Sequence, residues 1–208
     1  KIESFSSEYV MHYFGPNYLN QQKGFFIDVG AHNGVALSNT LGLTKELSWS
    51  GICIEPHPDI FPQLCENRKS DICINTAVSS EEKDSIFYKI SGHPEMLSGL
   101  HDCYDSRHVD RIHREIAQYG GSIEKIVVKT KSLSQIIEEY QVKTIDYLSL
   151  DTEGSELNIL QGINLEENWP KLISFEDNGY HAGCGRYLES KGYCHLGKYR
   201  YDRFFNKV

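Results

Sequence analysis

Carboxylates that directly follow short apolar runs are the residues of this chain best suited to chemistry. Phe26-Ile27-Asp28-Val29-Gly30-Ala31-His32-Asn33-Gly34 carries an acid into a glycine turn. Ile52-Cys53-Ile54-Glu55 ends a second run in an acid. Leu148-Ser149-Leu150-Asp151-Thr152-Glu153 and Ile173-Ser174-Phe175-Glu176-Asp177-Asn178 end two more. Such runs read as buried strands, and in an open α/β sheet ligands bind beyond the carboxyl ends of the strands. Four acid-tipped strands would therefore gather their carboxylates at one edge. That edge could hold a cation, accept hydrogen bonds from hydroxyls, or take up a proton.

The glycine turn narrows the ligand. A dinucleotide fingerprint needs G-x-G-x-x-G with a pyrophosphate at the helix N-terminus. Here the spacing is Gly30-x-x-x-Gly34, with Asp28 just before it. A carboxylate there opposes a pyrophosphate and suits a positive charge. S-adenosylmethionine carries an ammonium and a sulfonium and no phosphate, so it is the expected ligand. Glu55 lies somewhat beyond the roughly 20-residue offset typical of ribose-binding acids, and its carboxylate can accept both ribose hydroxyls. The competing reading is that these strands end in polar residues only because they emerge into solvent.

The second pair of acid-tipped strands suggests the reaction. Acids that end two adjacent strands can converge on one hard divalent cation. A Mg²⁺ or Mn²⁺ site is expected from Asp151 and Asp177, with Asn178 or Glu176. Asp151 and Glu153 are also candidate catalytic carboxylates. The alternative gives Asp151 only a cofactor-orienting role and makes Glu153 a helix cap, where a carboxylate suits the dipole. His181, in a Gly-containing loop, is the candidate general base if no metal binds. His101, Cys103, His108 and His113 resemble a zinc box in composition, but their spacing fits no closed structural site.

These residues need elements to position them. Strands are expected at 25–29, 51–55, 72–78, 85–90, 123–130, 145–150 and 172–176, with helices at 3–14, 35–46, 59–68 and from about 154. Ser132-x-x-Gln135 is a capping box ahead of Ile136-Ile137. The tail alternates short strands at 193–198 and 201–206. The sum is a mostly parallel, doubly wound α/β sheet with an antiparallel C-terminal hairpin. Residues 91–121 interrupt the rhythm. Val109, Ile112, Ile116 and Tyr119 recur there at helical spacing, and Arg107, Arg111 and Arg114 line another face. Such a stripe can contact an anionic group of the substrate but is more often a solvated face, and the insertion is expected to serve as a substrate lid.

Bulk properties exclude several classes. The 208 residues fit one domain, residues 1–208, with 39% hydrophobic and 24% charged content. A net charge of −8 argues against a general nucleic-acid binder. No run approaches the ~20 apolar residues of a membrane span, and no signal peptide is visible. Six cysteines without a C-x-x-C pair read as reduced thiols of a cytoplasmic protein. A chain that begins at Lys1 is expected to be processed or excised from a longer one.

At this level of detail the chain resembles the FkbM family of S-adenosylmethionine-dependent methyltransferases. The resemblance covers about residues 24–206. It rests on the Phe26–Gly34 motif, on Ile54-Glu55-Pro56-x-Pro58, and on Asn75-x-Ala77-Val78-Ser79. Above all it rests on Ile145-Asp-Tyr-Leu-Ser-Leu-Asp151-Thr-Glu153-Gly154-Ser-Glu156-Leu157-x-x-Leu160-x-Gly162. The family usually has Lys where this chain has Ser149, and an aliphatic residue in place of Thr152. The resemblance implies a class I methyltransferase fold, Rossmann-like, in which Asp28, Gly30, Ala31, Asn33 and Gly34 wrap the methionine part of the cofactor. Glu55 would hold the ribose diol, and Ala77 and Val78 would flank the adenine. Members commonly methylate hydroxyls on sugars or polyketides, and several are fused to glycosyltransferases. The implied acceptor is a sugar or glycan, such as a deoxyhexose of the rhamnose type. Asp151 with Asp177-Asn178 is also similar to the metal site of O-methyltransferases outside this family. The alternatives are the same fold acting on a small metabolite, lipid or amine, or a nucleoside-binding module without turnover. A nicotinamide-dependent dehydrogenase is remote, because its glycine spacing is absent.

Overall fold

The structure is a computed structural model that describes residues 7–21, 23–177, 179 and 183–207, with side chains described for all of these but 16–21. Its main sheet has seven strands. Five are parallel: β1 (Phe25–Val29), β2 (Ser50–Ile54), β3 (Ile72–Ile74), β8 (Tyr147–Leu150) and β9 (Leu172–Glu176). The hairpin of β10 (Tyr193–Tyr199) and β11 (Asp202–Lys207) closes it, with β11 antiparallel to β9. The order is β10-β11-β9-β8-β1-β2-β3. The order reverses at β1 and β8, and a crevice forms there beyond the strands' carboxyl ends.

Alternation along the strands builds two cores. Ile27, Ile52, Leu148 and Ile173 face α5 (Leu133–Glu139), α6 (Glu156–Gln161) and α7 (Cys184–Ser190). Phe26, Cys53 and Tyr147 face the opposite layer, with α1 (Ser7–Gln21), α2 (Leu41–Leu47) and α3 (Phe61–Asn67). Asp28 shares the face of Phe26, so its carboxylate enters the second layer. Ser132 and Gln135 cap α5 reciprocally, as the sequence predicts. No helix among the described residues is long and apolar enough to cross a membrane.

Three expectations are corrected. The helix expected over 35–46 begins only at Leu41. Asn33 Oδ1 accepts from the backbone of Val35 and Ala36, and Ser38 Oγ accepts from that of Thr40 and Leu41. These local bonds offer the backbone a competing partner. The strand expected over 72–78 divides into β3 and β4 (Ala77–Val78), because Asn75 bonds the Glu55 carbonyl and Thr76 bonds the Lys129 carbonyl. In α1, Gly15 (φ 69°) kinks the chain at the expected break, but the helix resumes beyond it.

A second sheet, absent from the sequence reading, has the order β4-β7-β5-β6. Here β5 (Asp84–Ser91) and β7 (Ser122–Lys131) pair antiparallel along their length, from Asp84↔Lys129 to Ser91↔Ser122. The insertion leaves and re-enters at the end of this ladder. It contributes short 3₁₀ turns at Glu95–Leu97 and His101–Cys103, β6 (Gly99–Leu100) and α4 (Ser106–Tyr119). Asp105 caps α4 by accepting from the Arg107 backbone, and Ile112 is buried beneath it, as the spacing predicts.

Candidate active site

The site starts at the turn after β1. Gly30 has φ +84°, a conformation that disfavours a side chain. Its backbone N–H and that of Ala31 both donate to the Ile54 carbonyl at 3.0 Å. A Cβ at this position would stand 1.7 Å from the Asp151 carbonyl oxygen. The ends of β1, β2 and β8 therefore meet at one point, which no other residue type would permit.

Behind the turn lies a buried polar network. The Thr40 hydroxyl donates to Asp28 Oδ2 at 2.6 Å and receives Arg68 Nη2 at 3.0 Å. Arg68 also donates to the Gly34 carbonyl, to Ser38 and, at 2.8 Å, to Asp71. Burial pushes the Asp28 carboxyl up, against the Thr40 hydrogen bond and the nearby Arg68 charge. Asp28 borders a small hollow with Ala31, His32, Asn39 and Asp151. Asn33 and Gly34 shape the turn from behind: Gly34 (φ +75°) packs on Arg68 and Leu64, and neither residue lines the main cleft.

The main cleft, about 190 Å³, runs from Gly30 past Glu55 to a wall of Ala77, Val78, Phe87 and Leu100. Glu55 is held from both sides. Its Oε2 accepts from the His32 backbone and its Oε1 from the His57 backbone, each at 2.8 Å. Burial pushes its pKa up to about 7, against those two bonds. A carboxylate pinned in this way keeps further lone pairs for a diol, and the apolar wall suits a planar base. The residues present fit an adenosine.

Opposite Glu55, three carboxylates converge. Asp151, Glu153 and Glu176 each offer an oxygen, and these oxygens lie within 4.8 Å of one another. Burial first, then the Glu176 and Glu153 charges, push Asp151 well above the usual carboxylate range. Burial and Glu176 raise Glu153 to about 8, against Arg111. Burial with Glu156 and Asp202 raises Glu176 to about 7, against Arg111 and Lys198. Like charges this close cannot all ionise cheaply, so the cluster holds protons or a cation.

The membership of this cluster differs from the expected metal set. Asp177 follows the last residue of β9 and points away from Glu176. Its Oδ1 accepts from the Gly179 backbone, and its Oδ2 lies 3.7 Å from Arg203. Glu153 joins Asp151 and Glu176 in its place. Glu153 is free to do so because Glu156 takes the loop's backbone N–H groups, those of Thr152 and Gly154. Asn178 and His181 lie outside the described residues.

Several residues at the site carried no clear sequence signal. Arg111 lines the cleft, the less common of the two readings open to its stripe. His32 lines it too, in a left-handed conformation (φ 48°), with Nε2 3.4 Å from Glu95. Arg68 is fully buried 34 residues after the glycine that it braces. Only tertiary proximity reveals these roles.

The family described as methyltransferase FkbM domain matches residues 28–193. The chain belongs to the FkbM methyltransferase family. It is 29% identical over 167 residues to the 31-O-demethyl-FK506 methyltransferase FkbM of Streptomyces tacrolimicus, covering 70% of this chain and 61% of that protein. It is 32% identical over 89 residues to the methyltransferase sdnD of Sordaria araneosa, covering 36% and 34%. The chain thus spans less than two thirds of either relative. Among solved structures, FkbM from Methylobacillus flagellatus KT superposes with a TM-score of 0.53 at 14% identity, over 96% of this chain and 53% of that one. The METTL16 methyltransferase domain superposes with a TM-score of 0.50 at 12% identity, over 95% and 63%. These likenesses establish the class I methyltransferase fold. FkbM membership implies S-adenosylmethionine as the methyl donor.

Proposed function

We propose that this FkbM chain transfers a methyl group from S-adenosylmethionine to a hydroxyl of a sugar or glycan. The observation that carries this reading is the convergence of Asp151, Glu153 and Glu176 beside Gly30, across the cleft from Glu55. When bound, S-adenosylmethionine supplies an electrophilic methyl group, so the protein has only to place and deprotonate the acceptor. Placement alone can contribute roughly 7–11 kcal/mol. A sugar hydroxyl is a weak nucleophile near neutral pH and needs a base. Glu153, held at a pKa of about 8, is matched to that task. It accepts the hydroxyl proton at a carboxylate oxygen as the oxygen is alkylated. Asp151, on the Gly30 contact, ties the acceptor side of the site to the donor side. An amine acceptor would gain less from such a base. The relative named for 31-O-methylation supports an oxygen acceptor. A glycan acceptor is the product of glycosyl transfer, so a glycosyltransferase is the expected working partner.

A second reading gives the same three carboxylates a Mg²⁺ or Mn²⁺ ion, which their oxygen donors and mutual repulsion favour. The first test is calorimetric titration with S-adenosylmethionine and S-adenosylhomocysteine, repeated with Mn²⁺ and with EDTA. Binding of both nucleosides is expected, and binding of neither by folded protein would overturn the methyltransferase reading. An EDTA-sensitive turnover that Mn²⁺ restores would favour the metal, and EDTA-insensitive turnover the carboxylate base alone.

A further inference from the structure

We infer that His108, on the insertion helix α4, is a positioning residue for Glu153, so that the insertion completes the catalytic site as well as covering it. This inference rests on the reading of Glu153 as the proton acceptor. The His108 side chain is 2% exposed, and its Nδ1 lies 3.4 Å from Glu153 Oε2. Its other nitrogen, Nε2, lies 3.4 Å from the Leu97 carbonyl. The ring packs against Tyr104 at a centroid distance of 4.7 Å, and the Tyr104 hydroxyl donates to the same Leu97 carbonyl at 2.7 Å. The imidazole is thus anchored to the insertion backbone through Nε2, and its Nδ1 faces the Glu153 carboxylate oxygen at close range without a hydrogen bond between them.

Two independent features make the placement of Glu153 dependent on the insertion that carries His108. Its own backbone sits in the left-handed region (φ 57°), which a non-glycine residue occupies only when its surroundings hold it there. The next residue, Gly154, packs so closely on the insertion that a Cβ would stand 2.6 Å from the Cys103 carbonyl. The loop carrying Glu153 is therefore seated directly on the segment that leads into α4. One turn further along α4, at the i+3 spacing that shares a helix face, Arg111 lines the cleft beside Glu153 and Glu176. A buried histidine that only filled space would need neither the facing carboxylate nor this neighbour. The role also accounts for a residue whose apparent zinc-box grouping with His101, Cys103 and His113 had no suitable spacing.

The test compares His108→Phe, His108→Asn and Glu153→Gln with the unaltered chain. Phe keeps the packing on Tyr104 and removes both nitrogens, and Asn restores a polar group near the position of Nδ1. His108→Phe should keep its thermal midpoint and its S-adenosylhomocysteine affinity within twofold while kcat falls roughly 10- to 100-fold. His108→Asn should recover part of that loss. A readout independent of turnover is the imidazole nitrogen spectrum of ¹⁵N-histidine-labelled protein, in which the signal lost in His108→Asn should shift in Glu153→Gln. A kcat within twofold of normal in folded His108→Phe, or a His108 signal unmoved by Glu153→Gln, would overturn the inference. If His108→Phe does not fold, the nitrogen spectra decide alone. Absence of turnover and of nucleoside binding in the unaltered chain would instead count against the methyltransferase reading, and the spectra would still report the contact.

Discussion

The Asp151 carbonyl oxygen occupies the space that a side chain at residue 30 would need: a Cβ on Gly30 would stand 1.7 Å from it. The turn after β1 and the end of β8 are thus fitted to one another through backbone. Gly30→Ala adds both a clash with main chain and a strained positive φ. A cost of about 3 kcal/mol is expected. The check is a denaturant midpoint together with S-adenosylhomocysteine titration: the variant should be less stable and lose nucleoside binding.

Two backbone N–H groups fix the Glu55 carboxylate in the cleft. Glu55→Ala would remove a ligand contact and also leave the His32 and His57 N–H groups without their acceptor. Each buried N–H left unmet costs about 1–3 kcal/mol. Nucleoside affinity is expected to fall at least about tenfold, equivalent to ~1.4 kcal/mol, as read by calorimetry. Unchanged affinity would remove Glu55 from the donor site.

Arg68 is a buried cation that does not line the Gly30–Glu55 cleft yet braces the turn after β1 through Gly34, Ser38 and Thr40. Its partner Asp71 is equally buried. Breaking such a pair by removing one member typically costs about 3–5 kcal/mol. Arg68→Ala should therefore lower stability by that order in urea unfolding. Thr40→Val, which removes only the hydroxyl between Arg68 and Asp28, should cost less and still weaken nucleoside binding.

The carboxylate cluster sets the sign of a pH effect. Glu153 and Glu176 keep their protons up to about pH 8 and 7 when folded, against an ordinary value of 4.5. Between roughly pH 4.5 and 8 the folded chain therefore binds more protons than the unfolded chain, and stability falls as pH rises. One such proton is worth up to about 1.4 kcal/mol per pH unit. His32, whose imidazole burial pushes down, acts in the opposite sense below its ordinary value of 6.5. The difference between the unaltered chain and Glu153→Gln isolates the carboxylate. Unfolding midpoints of the variant should decline less between pH 6 and 8.

Much of this architecture is legible in the chain. The strands that carry Asp28, Glu55, Asp151 and Glu176 are short apolar runs with an unambiguous end, and their parallel order follows from the βα rhythm. The capping box at Ser132 and the amphipathic α4 are local signals, and local signals survive folding. What the chain conceals depends on contacts between distant segments. The β5–β7 ladder pairs residues that a long insertion separates, so each strand alone resembles a member of the main sheet. The exchange of Glu153 for Asp177 in the acid cluster turns on which side of β9 residue 177 leaves, and on Glu156 capping the loop in place of Glu153. The Arg111 stripe has the composition of a solvated face, and only the packing of α4 over the cleft turns one of its arginines inward.

Methyl transfer is expected to take place at the Asp151–Glu153–Glu176 cluster. The most direct measurement is transfer of an isotopically labelled methyl group from S-adenosylmethionine to a panel of neutral oligosaccharides. It should be followed as a function of pH for the unaltered chain and for Glu153→Gln. The expected result is labelled O-methyl sugar, a rate that rises through an apparent pKa near 8, and loss of that ionisation with at least about a 100-fold lower rate in the variant. Labelled product formed by Glu153→Gln at the normal rate and with the same pH profile would contradict it.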